Sequence, residues 1–289
     1  MKQRATSAVG IAAAGLLPAI FGGPVWVAAI TVLCVVGFTE YLAMSRRISP
    51  GVLPFGLVLI PLFALAAYVD RPDLALLGIC ALAIALPLAV ATLRNTLDGA
   101  FADWTLSTAG TLYLGLPLFA AIELRNMPGA IDASWLTSLA DATAIGWDAF
   151  PRGLAWLISV ILITWMADTF AYLVGRQMGH HKFSPVVSPN KSVEGVAGGT
   201  GGAAITGALT FTVFGLDDRI WIGALVGATL AIIGLFGDLS ESVLKRQAGV
   251  KDSGTIIPGH GGMLDRLDAL LFNFVAGLYL ALLVDHFVL

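Results

Sequence analysis

Residues 242–268 read SVLKRQAGVKDSGTIIPGHGGMLDRLD. Four cations (Lys245, Arg246, Lys251, Arg266), three aspartates (Asp252, Asp265, Asp268) and His260 share this run, in a chain only 12% charged overall. Asp265 and Asp268 stand three residues apart, on one face near a helix start, where negative charge is favoured. Carboxylates so placed suit a hard cation that takes oxygen ligands, above all Mg²⁺. A salt-bridged pair with Arg266 is the plainer alternative. Pro258, Gly259, Gly261 and Gly262 set a tight turn from which this last helix starts.

Two stretches upstream carry matching chemistry. In GLFGDLSESVLKR, residues 234–246, Asp238, Glu241 or Ser242, and Lys245 recur at helical spacing and form one polar face. Asp238 follows an apolar run, where a carboxylate is costly and a functional candidate by default. In TWMADTFAYLVGR, Asp168 and Tyr172 share a helix face, with Arg176 one turn on. A structural aspartate bonded to a neighbouring helix is the bland reading of Asp168. Between them lies GHHKFSPVVSPNKSVEGVAGG, in which Ser188, Lys191 and Ser192 precede a glycine-rich helix. Backbone N–H groups at such a start, with a lysine beside them, make a phosphate cradle, although a plain connecting loop would read the same way. His180 and His181 read as loop residues rather than metal ligands. Carboxylate-bound metal with Lys, Arg and glycine turns is the equipment of phosphoryl chemistry, where positioning and charge neutralisation supply most of the catalysis. No Ser-His-Asp arrangement, His/Cys cluster or G-x-x-x-x-G-K-[ST] loop competes.

The elements that must hold these groups are membrane helices. The chain of 289 residues is 57% hydrophobic, with mean hydropathy +0.87, which places it in the membrane class. Apolar runs long enough to cross or enter the hydrocarbon core cover 6–21, 24–44, 52–69, 73–92, 106–122, 153–175, 195–215, 219–240 and 268–288. The expected fold is all-α: a polytopic integral membrane bundle of about nine transmembrane helices. It forms one domain, with N-terminal helices over 1–150 and catalytic helices and loops over 151–289. The first run, preceded by Lys2 and Arg4, reads as a retained helix rather than a cleaved signal. It and the seventh (195–215) are rich in small residues and should pack closely on neighbours. Twelve of the sixteen Lys and Arg fall on the side shared by the N-terminus and the motifs, so the N-terminus is expected in the cytoplasm. Segment 123–152 is expected outside, partly as an interfacial amphipathic helix. Cys34 and Cys80 read as core residues without a disulfide. The net charge of −3 gives no sign of a nucleic-acid partner.

The run from Ser242 to Asp268 resembles the signature of the CDP-diacylglycerol synthases, or phosphatidate cytidylyltransferases: Ser242, Lys245, Arg246, Lys251, Asp252, Pro258, His260, Gly261, Gly262, Asp265, Arg266 and Asp268 meet its fixed positions. The resemblance extends through Asp168 to Arg176, Ser188 to Gly195 and Gly237 to Ser242. It departs at Asn190–Val193, where the family more often has Lys-Lys-Thr-Trp. It implies transfer of the cytidylyl group of CTP to phosphatidate, giving CDP-diacylglycerol and pyrophosphate for phospholipid biosynthesis. Mg²⁺ is required, and a second ion, divalent or monovalent, is left open. By the same carry-over Asp238 and Asp265 hold metal, with Asp268 a ligand or its neighbour. Lys191, Lys245, Arg246, Lys251 and Arg266 meet phosphates. His260, with Gly261 and Gly262, shapes the turn or orients a phosphate; Ser188, Ser192 and Ser242 add substrate hydrogen bonds; Asp168 joins the polar lining. The resemblance also implies a homodimer in the lipid bilayer, here a bacterial inner membrane with the site facing the cytoplasm. Other readings stay open: a relative acting on an isoprenoid ether lipid or another CTP-dependent lipid transferase, an ion-coupled transporter using Asp168 and Asp238, and a non-catalytic lipid-binding protein. The one-sided clustering of polar groups speaks against the transporter.

Overall fold

The computed structural model describes residues 15–131, 138, 150–256 and 261–288. Residues 15–21 are helical, and the helices that follow are α1 (Gly23–Ile48), α2 (Gly56–Ala66), α3 (Pro72–Leu93), α4 (Ala100–Asn126), α5 (Arg152–Met178), α6 (Val193–Phe214), α7 (Ile220–Gln247) and α8 (Leu264–Val288). Two short antiparallel ribbons interrupt them: β1 (Ala130–Ile131) with β2 (Phe150–Pro151), and β3 (Lys182–Ser184) with β4 (Ser188–Ser192). Among the described residues, seven helices are long and apolar enough to cross a membrane. The all-α polytopic membrane fold expected from composition is therefore the fold observed.

Helix boundaries follow local chemistry. Pro24 and Pro72 open α1 and α3, positions where the missing N–H costs nothing. Ser192 caps α6, its hydroxyl accepting the amide hydrogen of Gly195 at 3.1 Å. Gly215 closes the same helix in the left-handed conformation, φ 63°. Three expectations are corrected. The run 52–69 yields α2, whose 11 residues span only about 16 Å at 1.5 Å each; Pro54 and the Tyr68–Pro72 turn hold its flanks out of the helix. α4 starts at Ala100, six residues before the apolar run, because Gly99 supplies the turn. The span expected to end at 240 continues as α7 to Gln247, which keeps Asp238, Glu241, Ser242 and Lys245 on one helix, as their spacing suggested. Residues 1–14 of the expected first span, and most of the segment expected to lie along the interface, fall outside the described residues.

The chain runs up and down, and contacts tie each end of the bundle. At one end Arg125 donates to the carbonyls of Ala19 and Ile20, and Arg152 to Asp285 at 2.6 Å and to the carbonyl of Leu216. There too Arg219 pairs with Asp217 at 3.0 Å. At the other end Arg94 bonds the carbonyl of Gly51 and the carboxylate of Asp103, while Arg46 bonds the carbonyl of Val52. Among the described residues, Arg125, Arg152 and Arg219 thus stand at one end and Arg46 and Arg94 at the other. Cys34 is buried and Cys80 half-buried, both as free thiols.

Small residues set the packing of the second half. Water expulsion gives helices no reason to associate inside lipid, so close backbone approach must supply the attraction. A Cβ on Gly199 would sit 2.8 Å from the carbonyl oxygen of Ala167 on α5, and one on Gly223 would sit 2.5 Å from that of Gly207 on α6. The glycine-rich α6 therefore lies flush between α5 and α7, as its composition suggested. A Cβ on Gly237 would meet the carbonyl oxygen of Asp268 at 2.5 Å, so α8 crosses α7 beside Asp238. α4 links the halves, packing on α1, α2 and α3 and also on α5 and α8.

Candidate active site

Between α5, β4, α6, α7 and α8 lies a cavity of about 560 Å³. Asp168, Tyr172 and Arg176 reach it from α5, Lys191 and Ser192 from β4, and Asp238 from α7. Its floor, deeper in the bundle, holds Thr164 and Asn273. The Asn273 amide nitrogen donates to the Thr164 hydroxyl at 2.8 Å, whereas its carbonyl oxygen is buried with no partner among the described residues. The shared helix face of Asp168 and Tyr172 is thus a cavity wall, and the Tyr172 hydroxyl accepts from Arg176 at 3.2 Å. Lys191 Nζ meets Asp238 Oδ2 at 2.6 Å, and Ser242 Oγ lies 3.4 Å from Asp238 Oδ1. Asp168 interacts electrostatically with Asp238, Lys191 and Arg266. Asp268 is within electrostatic reach of Asp238, Glu241 and Asp168, and Tyr113 of α4 is within reach of the first two and of Asp268 itself.

A second network adjoins this group. Lys245 Nζ donates to Glu241 Oε2 at 2.8 Å and to Asp265 Oδ1 at 2.6 Å. Asp265 Oδ2 accepts from the backbone of Ser253 at 2.9 Å and from Gly262 N at 2.8 Å, and the Ser253 hydroxyl, whose one proton it shares with Glu40, lies 2.9 Å away. Gly261 adopts φ 83°, and a Cβ there would stand 2.7 Å from Asp265 Oδ2, so glycine is required twice over. Glu40, on α1 and 5% exposed, accepts from Ser253 Oγ at 3.0 Å, Met263 N at 3.0 Å and Leu264 N at 2.8 Å. It caps α8 from the opposite end of the sequence.

The sequence-derived candidates therefore divide. Asp168, Lys191, Ser192 and Asp238 meet at the cavity, with Asp268, Ser242 and Arg266 beside them. Lys245, Asp265 and Gly262 form the adjoining network. Arg246 is turned to the carbonyls of Val187 and Val250, where it orders loops. Ser188 pairs with Ser184 in the β3–β4 ribbon, and Lys251 is exposed on the loop after α7. The start of α6 is largely self-satisfied: Ser192 takes the Gly195 amide and His181 O the Val193 amide. Glu194 holds the amides of His180 and His181 and the His181 ring, which ties the loop after α5 to α6. His260, Pro258 and Gly259 lie outside the described residues. Glu40, Tyr113, Ser253, Thr164 and Asn273 were not among the candidates. Glu40 carried a signal, a lone carboxylate inside the apolar run TVLCVVGFTEYLAM.

The donor set bears on a metal. Asp238 and Asp268 offer oxygen ligands on adjacent helices beside a cavity lined with cations. Among the described residues no three His, Cys, Asp or Glu side chains converge as a closed cage. One or two carboxylates completed by substrate phosphates is the usual manner of holding Mg²⁺, and the residues fit that manner.

The model of the cytidylyltransferase family matches residues 2–284. Among curated proteins, the chain is 47% identical over 120 residues to a phosphatidate cytidylyltransferase of Staphylococcus haemolyticus, covering 42% of this chain and 46% of that one. It is 41% identical over 152 residues to one of Staphylococcus epidermidis and 40% identical over 152 to one of Staphylococcus aureus, each covering 51% of this chain and 58% of the other. The chain thus spans about half the length of the curated relatives it matches.

Proposed function

Because the chain belongs to the cytidylyltransferase family, we propose that it transfers the cytidylyl group of CTP to phosphatidate, forming CDP-diacylglycerol and pyrophosphate. A phosphate oxygen of phosphatidate bonds to the α-phosphorus of CTP, and the bond from that phosphorus to the oxygen bridging to the β-phosphate breaks. The nucleophile is already anionic, so the barrier is the approach of two polyanions, and the protein's task is to neutralise and align them. The observation that carries this reading is the meeting of Asp168, Lys191 and Asp238 at one cavity walled by membrane helices.

The geometry supports a division of labour. The Lys191 ammonium, held by Asp238 at 2.6 Å, is in place to exchange that carboxylate for a phosphate oxygen. Arg176 extends the positive lining, Arg266 lies within electrostatic reach of Asp168, and Tyr172 and Ser192 add hydroxyls. Asp238 and Asp268 would hold Mg²⁺, whose charge offsets that of the phosphates. Both oxygens of Asp265 are engaged by Lys245, Ser253 and Gly262, so its part is to fix the Lys245 ammonium and the glycine turn beside that site. The same reading puts the enzyme in a bacterial inner membrane, with the site on the cytoplasmic side and a homodimer as the assembled form. Lipid reaches the cavity from the bilayer.

The test is purified full-length protein in liposomes with labelled CTP and phosphatidate. Product is expected only with a divalent cation. Asp238→Asn should cut turnover by about 10²–10³-fold, the scale of losing one electrostatic group aimed at the reacting phosphates, while the variant elutes as a monodisperse protein. Absence of product from the wild type under these conditions would overturn the assignment. Turnover of an isoprenoid ether lipid but not of phosphatidate would move it to that substrate.

A further inference from the structure

Glu40 is the one carboxylate of α1, and no part of the reaction described above uses it. It sits eight residues from the end of that helix, about 12 Å inside at 1.5 Å per residue. It is 5% exposed, and all three of its hydrogen bonds go to the far end of the sequence. Two of the donors, Met263 N and Leu264 N, belong to the start of α8, where backbone amides have no partner within the helix. Glu40 therefore does for α8 what a capping side chain ordinarily does from within the same helix. The third donor links it to the reaction site. Ser253 Oγ stands 3.0 Å from Glu40 Oε2 and 2.9 Å from Asp265 Oδ2, while the Asp265 amide donates back to it at 3.3 Å. Asp265 holds Lys245 at 2.6 Å, and Lys245 holds Glu241 at 2.8 Å. One polar chain thus runs Glu40–Ser253–Asp265–Lys245–Glu241, through α1, the loop after α7, α8 and α7. The space around it is full: a Cβ on Gly254 would crowd the Glu40 carboxylate, with its Cδ at 2.8 Å, and one on Gly262 would stand 2.7 Å from that atom.

We propose that Glu40 is a positioning residue for the cytidylyl transfer: by clamping Ser253 and the start of α8, it sets the orientation of Asp265 and, through it, of the Lys245 ammonium. The inference rests on the cytidylyltransferase reading. Its chemistry is specific, because a carboxylate accepts on both oxygens and donates nothing. A glutamine has one accepting oxygen and presents an NH₂ group to at least one of three donors. A serine hydroxyl has one proton, so Ser253 donates to Glu40 or to Asp265 at any one time; in either state its oxygen accepts the Asp265 amide, and that bond ties the Glu40 contact to the position of Asp265.

The experiment uses the full chain in liposomes with CTP, phosphatidate and Mg²⁺, comparing wild type, Glu40→Gln, Ser253→Ala and the double variant. Melting temperature and elution profile are recorded for each. Glu40→Gln is expected to lower kcat at least tenfold and to shift KM for phosphatidate less than twofold. Ser253→Ala, which leaves the α8 cap intact, should lower kcat in the same manner. The double variant should be little worse than the poorer single variant, since both act on Asp265 through one linkage. Unchanged kcat in Ser253→Ala, or losses that multiply in the double variant, would overturn the proposal even if Glu40→Gln fails to fold. Normal kcat in a folded Glu40→Gln would overturn it directly. Wild-type protein without CTP-dependent product would instead remove the functional reading on which it stands.

Discussion

Replacing Lys245 with methionine keeps most of the side-chain volume and removes one charge. Lys245 Nζ lies 2.8 Å from Glu241 Oε2 and 2.6 Å from Asp265 Oδ1, and the three side chains are 11%, 0% and 8% exposed. Water therefore cannot replace the ammonium. Glu241 Oε1 is already buried without a partner among the described residues, so its carboxylate would lose its main support; among those residues Asp265 would keep Ser253 and Gly262. Removing one member of a buried pair costs about 3–5 kcal/mol, because the survivor is left charged and unsolvated. At about 2–4 °C per kcal/mol for a chain near this size, the melting temperature should fall by roughly 6–20 °C. Cys34, 1% exposed, makes the assay direct: a thiol-reactive dye reports its exposure during heating in detergent, in a Cys80→Ser background that removes the half-buried thiol. The triple variant Lys245→Met/Glu241→Gln/Asp265→Asn carries no stranded charge and should regain most of the stability, yet remain inactive. A Lys245→Met protein melting within about 2 °C of its parent, or a triple variant no more stable than the single one, would refute the reasoning.

Two further outcomes test the frame around the site. Gly223→Ala would put a Cβ 2.5 Å from the Gly207 carbonyl oxygen, and overpacking of this kind costs about 1–3 kcal/mol; the same dye assay should show a lower melting temperature, and Gly78→Ala, with open space around it, should show none. At the opposite end, Arg219 beside Asp217 holds that carboxyl below its ordinary value of about 3.9. A carboxylate whose pKa is lowered in the folded state contributes stability above its unfolded pKa, and loses it as pH falls through the folded one. Asp217→Asn should accordingly melt below the wild type at pH 7, with the gap closing on acidification below about pH 4; a gap that stays constant down to the acid limit would remove the pair from the account.

Sequence and structure agree where chemistry is marked by contrast. Asp168 and Asp238 stand out because ionisable groups are expensive in apolar helices, and both line the cavity. The glycines of α6 announced close packing, and they mediate it. What could not be read off was partnership across long separations. Lys191 with Asp238, and Lys245 with Glu241 and Asp265 together, depend on how α7 and α8 cross, which helical periodicity does not encode. Glu40 had the same contrast as Asp168 but no companion in its own stretch, because its donors lie 213 to 224 residues away. The run 52–69 looked like a full span because hydropathy counts apolar residues, whereas Pro54 and the Tyr68–Pro72 turn decide how many of them can be helical.

That separation has a consequence for how the protein is made. At about 5–20 residues per second, Ser253, Met263 and Leu264 leave the ribosome roughly ten to forty seconds after Glu40. During that interval α1 carries a carboxyl group that has none of its final donors, and an apolar surrounding makes such an unsatisfied group costly. A late helix thus completes an early one. A nascent chain cut short before residue 253 would carry within α1 a glutamate without its three donors, which marks it chemically as unfinished.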